Sequence, residues 1–365
     1  MSAPTKPVPP DPHDFLGLEA LLDSEEKLVR ETVRRFVADR ILPNVADWFE
    51  AGVFPKELAR EMGALGLLGM HLDGYGTAGS TAVHYGLACT ELEAGDSGAR
   101  SFASVQGSLS MFPIWAFGSE EQKQEWLPQM AAGELIGCFG LTEADSGSDP
   151  SSMRTNARRD GDDWVLNGSK MWITNGGIAD VAVVWARSDD GIRGFVVPTG
   201  TAGFSTNDIQ HKLSLRASVT SELVLNDVRL PGDAVLPGAV GMKGPLSCLN
   251  EARFGIVFGV VGAARACYEA APSYSTDRTQ FGKPLAGFQL TQRKLVDMMI
   301  GINRGMLVSL HLGRKMDAGI IDPAQISFGK LVNVRMALVV ARSARSVLGA
   351  NGFTLEYPVI RHMNN

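Results

Sequence analysis

Cysteine is scarce in this chain of 365 residues: Cys89, Cys138, Cys248 and Cys267 are four, far apart, with no CxxC pair and no disulfide spacing. A disulfide scaffold is excluded and a reducing compartment is expected. Basic charge is also in deficit, 34 Lys and Arg against 40 Asp and Glu, so no positive field favours nucleic acid or anionic lipid, and neither nucleic acid nor a membrane is expected as a partner. There is no GxGxxG after a strand, no GxxxxGK[ST], no HExxH and no GxSxG, which removes Rossmann and P-loop nucleotide binding, zincin chemistry and the serine-hydrolase elbow. The six histidines stand alone, so no metal is expected. No apolar run is expected to be long enough to cross a bilayer. The proline-rich start, Met1 to Pro12, lacks the basic and apolar regions of a secretion signal and reads as a loose tail, which points to a cytoplasmic location if the source is bacterial.

What remains is an ordinary globular composition, 45% hydrophobic and 20% charged, in a chain long enough for two or three folded units. From about Asp23 to Gly133 the apolar period is helical. Leu28, Val29, Val33, Phe36, Val37 and Ile41 form one stripe, opened by Asp23 with Glu26 three residues on and closed by Pro43. Further helices are expected at Pro55 to Leu68, Val83 to Glu93 and on through Met111. The period changes to two at about Ile136, with Asn167-Gly168 between two strand-like runs as a tight hairpin turn. More strands are expected at Val181 to Ala186, Gly194 to Pro198 and Glu222 to Val228. After Leu236 the helical period returns: Phe288, Leu295, Met298, Ile302, Met306 and Leu310 step by helical intervals, and Gln325 to Leu348 is another long helix. The expected fold class is α+β, with an N-terminal helical domain over residues 1–135, a β-sheet or β-barrel domain over 136–237 and a C-terminal four-helix bundle over 238–365.

Three segments carry candidate chemistry. Cys138 to Pro150 gathers hydroxyls, small residues and free backbone N–H groups after an apolar strand; it suits the edge of an anionic ring or a pyrophosphate, or is an Asx-rich connecting turn. Trp172 and Thr174 share a strand face by period two, which suits a flat ring with polar edges, or packs the Trp in a core. Glu93, Ser97, Arg100 and Ser104 are spaced by four, three and four on any helix through them, although Gly95 and Gly98 weaken the helix there. Arg100 is then either a fork for a carboxylate, with Ser104 donating and Glu93 pairing, or half of a surface ion pair.

Taken together, Cys138 to Glu143 with Ser146 to Asp149, Trp172 to Asn175, Asp277 to Gly282 and Leu348 to Phe353 resemble the acyl-CoA dehydrogenase family, from about Phe15 to Asn365 and in family order. Glu93 to Ser101, Leu213 to Ser218, Cys248 to Arg253 and Tyr357 to His362 look most like its glutaryl-CoA dehydrogenase branch. The resemblance implies FAD as cofactor, lined by Phe139, Leu141, Thr142, Gly147, Ser148, Trp172, Ile173 and Thr174, with Arg278, Phe281, Gln289, Ser346, Gly349 and Ala350 reaching the FAD of a neighbouring subunit. It implies a substrate site of Glu93, Arg100, Ser101, Ser104, Ser148, Leu246, Asn250 and Arg253, where Asn250 and Arg253 hold the CoA portion and Arg100 the far carboxylate. Implied partners are an acyl-CoA, electron-transfer flavoprotein and three further copies in a homotetramer. The implied activity is α,β-dehydrogenation of glutaryl-CoA with decarboxylation to crotonyl-CoA; a short-chain acyl-CoA dehydrogenase of other specificity, or a non-catalytic FAD- or acyl-CoA-binding paralogue, is the alternative.

The sequence departs from that pattern in places. The family's base, a glutamate in Tyr-Glu-Gly-Thr, is expected beyond Asn365. Its alternative position matches Ala252, beside Glu251. Pro272 is expected to kink the helix before Arg278, and Ala350 stands where a glycine is usual.

Overall fold

Helix α1 (Ser24–Phe36) starts where the sequence marks it: the Asp23 carboxylate accepts the Glu26 N–H at 2.9 Å and the Glu26 carboxylate accepts the Asp23 N–H at 3.0 Å. Val29, Val33 and Phe36 point inward, but Leu28 is 63% exposed. It lies about 100° round the helix from Val29, on the flank rather than on the stripe. Beyond Phe36 a wider π turn, Val37–Ile41, rotates Val37 and Ile41 back into the core. This structure is a computed structural model describing residues 11–12 and 14–365; the rest of the proline-rich start, residues 1–10, and His13 lie outside the described residues.

The N-terminal domain continues with α2 (Val45–Ala51), α3 (Glu57–Ala64), α4 (Ala82–Gly95), α5 (Ser97–Ser104), a second π stretch Val105–Met111, α6 (Phe112–Phe117) and α7 (Glu120–Ala131). The single helical stripe expected through Glu93, Ser97, Arg100 and Ser104 is absent. Asp96 is extended (φ −166°, ψ 145°) and breaks the helix into α4 and α5, its side chain accepting the Gly98 N–H at 2.7 Å to cap the second one.

The middle domain is one mixed sheet: β1 (Gly137–Gly140), β2 (Asn156–Asp160), β3 (Asp163–Thr174), β4 (Val181–Ser188), β5 (Gly191–Pro198), β6 (Phe204–Asp208), β7 (Thr220–Leu230) and β8 (Val235–Val240). The order is β6-β7-β3-β2-β4-β5-β8, with β1 parallel to β4. The hairpin expected at Asn167-Gly168 is elsewhere. The turn falls at Gly161-Asp162, Gly161 having φ +65°, while β3 runs straight through Asn167-Gly168 opposite a bulge in β7, where Asn226 and Asp227 face Asn167 and Asp227 takes φ +52°. Asn167 pairs its side chain with Asp227 of β7 in both directions at 2.9 Å, so the asparagine stitches the bulge rather than turning the chain.

The C-terminal domain has three long helices, α8 (Lys243–Asp277), α9 (Gln289–Asp317) and α10 (Pro323–Leu348), and a short α11 (Val359–Asn364), with a small ribbon of β9 (Thr279–Gln280) and β10 (Lys283–Pro284) after α8. Asn333 on α10 donates to the Val257 carbonyl of α8 at 2.8 Å and to the Gly305 carbonyl of α9 at 3.2 Å, fixing the three at mid-height. Helix α8 passes unbroken through Pro272. Against the expectation that no stretch could span a bilayer, α8, α9 and Pro323–Phe353 are long and apolar enough by composition, because sparse charges do not cancel a long aliphatic run. In this fold 67% of the α8 stretch is buried inside the protein, against 33% and 28% for the other two.

Candidate active site

A cavity of about 410 Å³ opens where the three domains meet, lined by Val105 and Leu109 from the π stretch, Phe139 and Leu141 after β1, Thr142, Gly147 and Ser148 on the following loop, Trp172 to Thr174 on β3, and Leu246, Leu249 and Arg253 on α8. Eight candidate ring-site residues and three candidate substrate residues, Ser148, Leu246 and Arg253, therefore line one space. Asn250 lies beside it, accepting a hydrogen bond from Arg253 Nη1 at 2.5 Å.

Two details of β3 explain how its end faces the cavity. The Met171 N–H donates to the Thr142 carbonyl at 2.8 Å rather than to β7, and the β3–β7 register slips between Lys170 and Ile173. Trp172 takes a left-handed φ of +64° and stands 61% exposed. A bulky residue there costs roughly 1–3 kcal/mol, a cost met at functional sites. Its ring is not core packing, and the slip rather than strict alternation brings Trp172 and Thr174 to the same space.

The loop over Thr142–Thr155 is a built structure, not a slack turn. The Glu143 carboxylate accepts the backbone N–H of Arg154 at 2.6 Å and of Thr155 at 2.9 Å, and takes a charge-assisted bond from Lys170 Nζ at 2.8 Å. Lys170 is fully buried and also donates to the Leu141 carbonyl at 3.1 Å. Against the cost of burial, these donors hold the Glu143 carboxyl down at about 2, while burial brings the Lys170 ammonium down to about 8 despite Glu143. The hub holds the rim of the loop, and a Cβ at Gly147 would meet nothing within 4 Å. An anchored rim with open space above it can accept a ring edge.

Five residues before the cavity-lining Val105, or about 7.5 Å of helix rise along the same helical run, lies Arg100. It is buried, not on the surface, and its Nε donates to Glu93, itself 2% exposed, across the α4–α5 elbow. Among the described residues that is the hydrogen bond its guanidinium makes, which leaves the terminal nitrogens of the fork for a ligand. Burial disfavours the charge, but Glu93 more than offsets this and raises the Arg100 pKa. Ser101 and Ser104 are buried on the same helix, and Ser104 accepts a bond from the Tyr85 hydroxyl at 3.4 Å. Glu93, Arg100, Ser101 and Ser104 do not themselves line the cavity.

The other six candidates sit apart from it. Arg278, Phe281, Gln289, Ser346, Gly349 and Ala350 are exposed at one end of the bundle, where α8 and α10 finish and α9 begins; Phe281 is 95% exposed, and Ser346 accepts a bond from Lys294 at 2.7 Å. Sequence reasoning missed Lys170, whose signal was a lysine just before the Met-Trp-Ile run near the end of β3, and the buried Asp96–Arg361 pair, which had no local signal. Among the described residues no group of three His, Cys, Asp or Glu could hold a metal ion.

Models of the acyl-CoA dehydrogenase N-terminal, middle and C-terminal domains match residues 23–134, 138–228 and 240–365. The chain belongs to the acyl-CoA dehydrogenase family. Its fold overlays the crystal structure of glutaryl-CoA dehydrogenase from Mycobacterium smegmatis with a TM-score of 0.96 at 63% identity, covering 98% of this chain and 92% of that one. A glutaryl-CoA dehydrogenase from the same organism in complex with FADH2 gives 0.96 at 62%, with the same coverage. Human mitochondrial short-chain specific acyl-CoA dehydrogenase is 35% identical over 349 residues, 93% of this chain and 84% of its own length.

Proposed function

We propose that the protein is an FAD-dependent acyl-CoA dehydrogenase acting on glutaryl-CoA. The observation that carries the substrate is Arg100: a buried guanidinium about one and a half helical turns from the cavity-lining Val105, paired with Glu93 through one edge only. A neutral acyl chain gives such a fork nothing to bind, whereas a terminal carboxylate in a dry pocket requires a partner, since an unpaired one costs several kcal/mol.

The cavity fits a flavin on its own chemistry: an exposed aromatic ring held in a strained conformation, the Thr142, Ser148 and Thr174 hydroxyls, and a stapled loop with an open glycine. Phe139, Leu141 and Thr142 would bind one side of it and Trp172 to Thr174 the other. FAD, when bound, accepts the β hydrogen as hydride. The chain's own residues do the rest. Leu246, Leu249 and Val105 exclude water from the acyl chain, Arg253 with Asn250 meets the CoA end, and Arg100 fixes the opposite end, so the Cα–Cβ bond is held in register. Among the described residues lining the cavity none is a carboxylate, so the α-proton base is assigned to none of them. Loss of CO2 from the dehydrogenated acid is favourable because the bonding pair left behind delocalises through the double bond into the thioester; protonation gives crotonyl-CoA.

Arg278, Phe281, Gln289, Ser346, Gly349 and Ala350 would reach the FAD of a neighbouring copy, in keeping with their exposure at the bundle end, and the exposed apolar faces of α9 and α10, with Val296, Leu307, Phe328 and Val339, would close a homotetramer. Electron-transfer flavoprotein would reoxidise the cofactor. The test is a flavin spectrum of the gently purified protein, followed by anaerobic addition of glutaryl-CoA or butyryl-CoA. Bleaching of the flavin by glutaryl-CoA, with a higher kcat/KM than butyryl-CoA, is expected. A protein without flavin bands that gains none from added FAD, or one that prefers butyryl-CoA, would overturn the reading.

A further inference from the structure

The α4–α5 elbow, which joins Glu93 to Arg100, is gripped from outside by α11 and the residue that follows it. Asp96 is fully buried; its Oδ1 caps α5 at Gly98 while its Oδ2 accepts Arg361 Nη1 of α11 at 2.5 Å and Asn365 Nδ2 at 3.2 Å. The same Arg361 nitrogen donates to the Gly95 carbonyl at 3.1 Å, the last residue of α4. Asn365 also accepts the Leu215 N–H at 2.8 Å, which ties the elbow to the 209–219 segment of the middle domain. That segment presses on the elbow directly: a Cβ at Gly98 would lie 2.0 Å from the Ala217 carbonyl oxygen, so only glycine lets the first turn of α5 approach so closely.

The geometry points to Arg361 and Asn365 as positioning residues for specificity: by fixing the angle between α4 and α5 they set where the Arg100 guanidinium meets the distal end of the acyl chain. Glu93 lies two residues before Gly95 and Arg100 four after Asp96, so the grip falls between the two members of the pair. Any opening of the elbow separates the helices that carry them. Arg100 cannot follow its ligand independently, because Glu93 holds its Nε from the other helix. The clamp joins three parts of the fold, α11, the 209–219 segment and the elbow, at a point Arg361 reaches while only 3% exposed. It touches neither substrate nor cofactor cavity and acts through Arg100. The inference rests on the proposed carboxylate-binding role of Arg100.

The test is binding rather than turnover. The full-length protein is titrated calorimetrically with S-(4-carboxybutyl)-CoA and S-butyl-CoA, thioethers that cannot lose an α proton and that differ in the terminal carboxylate. Arg361→Gln should weaken the carboxylated ligand at least ten-fold more than the neutral one, with flavin content unchanged. Asn365→Ala, at the edge of the clamp and removing no charge, should separate the two about three-fold and decides the matter if Arg361→Gln does not fold. Equal shifts for both ligands, or no shift, would make the cluster a fold-stabilising contact and overturn the proposal. The double variant Glu93→Gln, Arg100→Ala, which leaves no buried carboxylate unpaired in the protein, runs in parallel. If it separates the ligands and neither clamp variant does, the dicarboxylate reading stands and the clamp fails; if it does not separate them, both fall.

Discussion

Replacing Arg100 by alanine tests the dicarboxylate reading, and the structure says why the experiment needs two variants. Arg100 neutralises Glu93, which is 2% exposed. Arg100→Ala alone therefore orphans a buried carboxylate in the protein as well as one in the ligand, and breaking a buried pair costs about 3–5 kcal/mol. Stability and binding would fall together, and a loss of activity would be ambiguous. In the double variant Glu93→Gln, Arg100→Ala the protein's own charge is gone, and the ligand's carboxylate is the unpaired group that remains. With glutaryl-CoA, about 3–5 kcal/mol then corresponds to a fall in kcat/KM of roughly 150-fold to 5,000-fold. Butyryl-CoA carries no such group, and its kcat/KM should stay within about ten-fold of wild type. Steady-state rates for both substrates, with thermal melting of each variant, give the answer. Equal losses on the two substrates in a double variant that melts like wild type would refute the argument and leave an acyl-CoA dehydrogenase of unassigned chain preference.

Other expectations come from groups around the same site. Lys170→Met leaves Glu143 buried without its ammonium partner and should cost about 3–5 kcal/mol and release FAD on dilution, read by denaturant unfolding and by filtrate absorbance; full flavin retention would mean that the loop holds without its hub. Trp172→Gly removes the aromatic face while relieving a left-handed φ, so melting should change by less than about 1 kcal/mol while flavin affinity falls at least ten-fold; unchanged affinity would place the ring outside the cofactor site. Stability should decline as the solution is acidified, in two stages. His362 is held down at about 3 by burial first and by the Arg361 charge second, so the unfolded chain binds its proton from about pH 6.5 downward while the folded one does not, and stability falls through that window. Glu143, held at about 2, contributes stability that is present above its ordinary value near 4.5 and is lost as pH falls from there toward 2. Chemical unfolding at stepped pH should show the first loss shrink in His362→Leu, the remainder coming from His71, which burial holds down at about 4, while the second loss persists.

The domain layers were legible because each rests on a local period: Asp23 with Glu26 caps a helix wherever it occurs, and the aliphatic steps of α9 and α10 bury one face in any bundle. The cavity wall was legible for a different reason, the run of hydroxyls and small residues after β1 and the Trp-Ile-Thr at the end of β3. What the sequence hid were places where a side chain overrides a local rule through a partner far along the chain. Asn167-Gly168 has the chemistry of a hairpin turn, yet Asp227, 60 residues on, takes both hydrogen bonds of the asparagine and β3 runs on past a bulge in β7. Glu93 to Ser104 has helical spacing, yet Asp96 takes an extended conformation because Arg361 and Asn365, 265 and 269 residues away, hold its second oxygen.

Both overrides have the same logic. An aspartate or asparagine can satisfy its neighbours locally, as a cap or a turn, and still has a second oxygen or an amide to spend on a distant element. At Asp96 one oxygen starts a helix and the other binds Arg361 and Asn365, so the local signal for a break, a glycine on either side of an aspartate, was visible while its purpose was not. The break is also what makes the Glu93–Arg100 pair possible as a site. On one continuous helix residues 93 and 100 are seven apart, two turns and about 10.5 Å along the axis, a long span for the two side chains to close. Folding the helix at Asp96 brings the carboxylate to the guanidinium from a second helix, occupies one edge of the fork and leaves the other for a ligand.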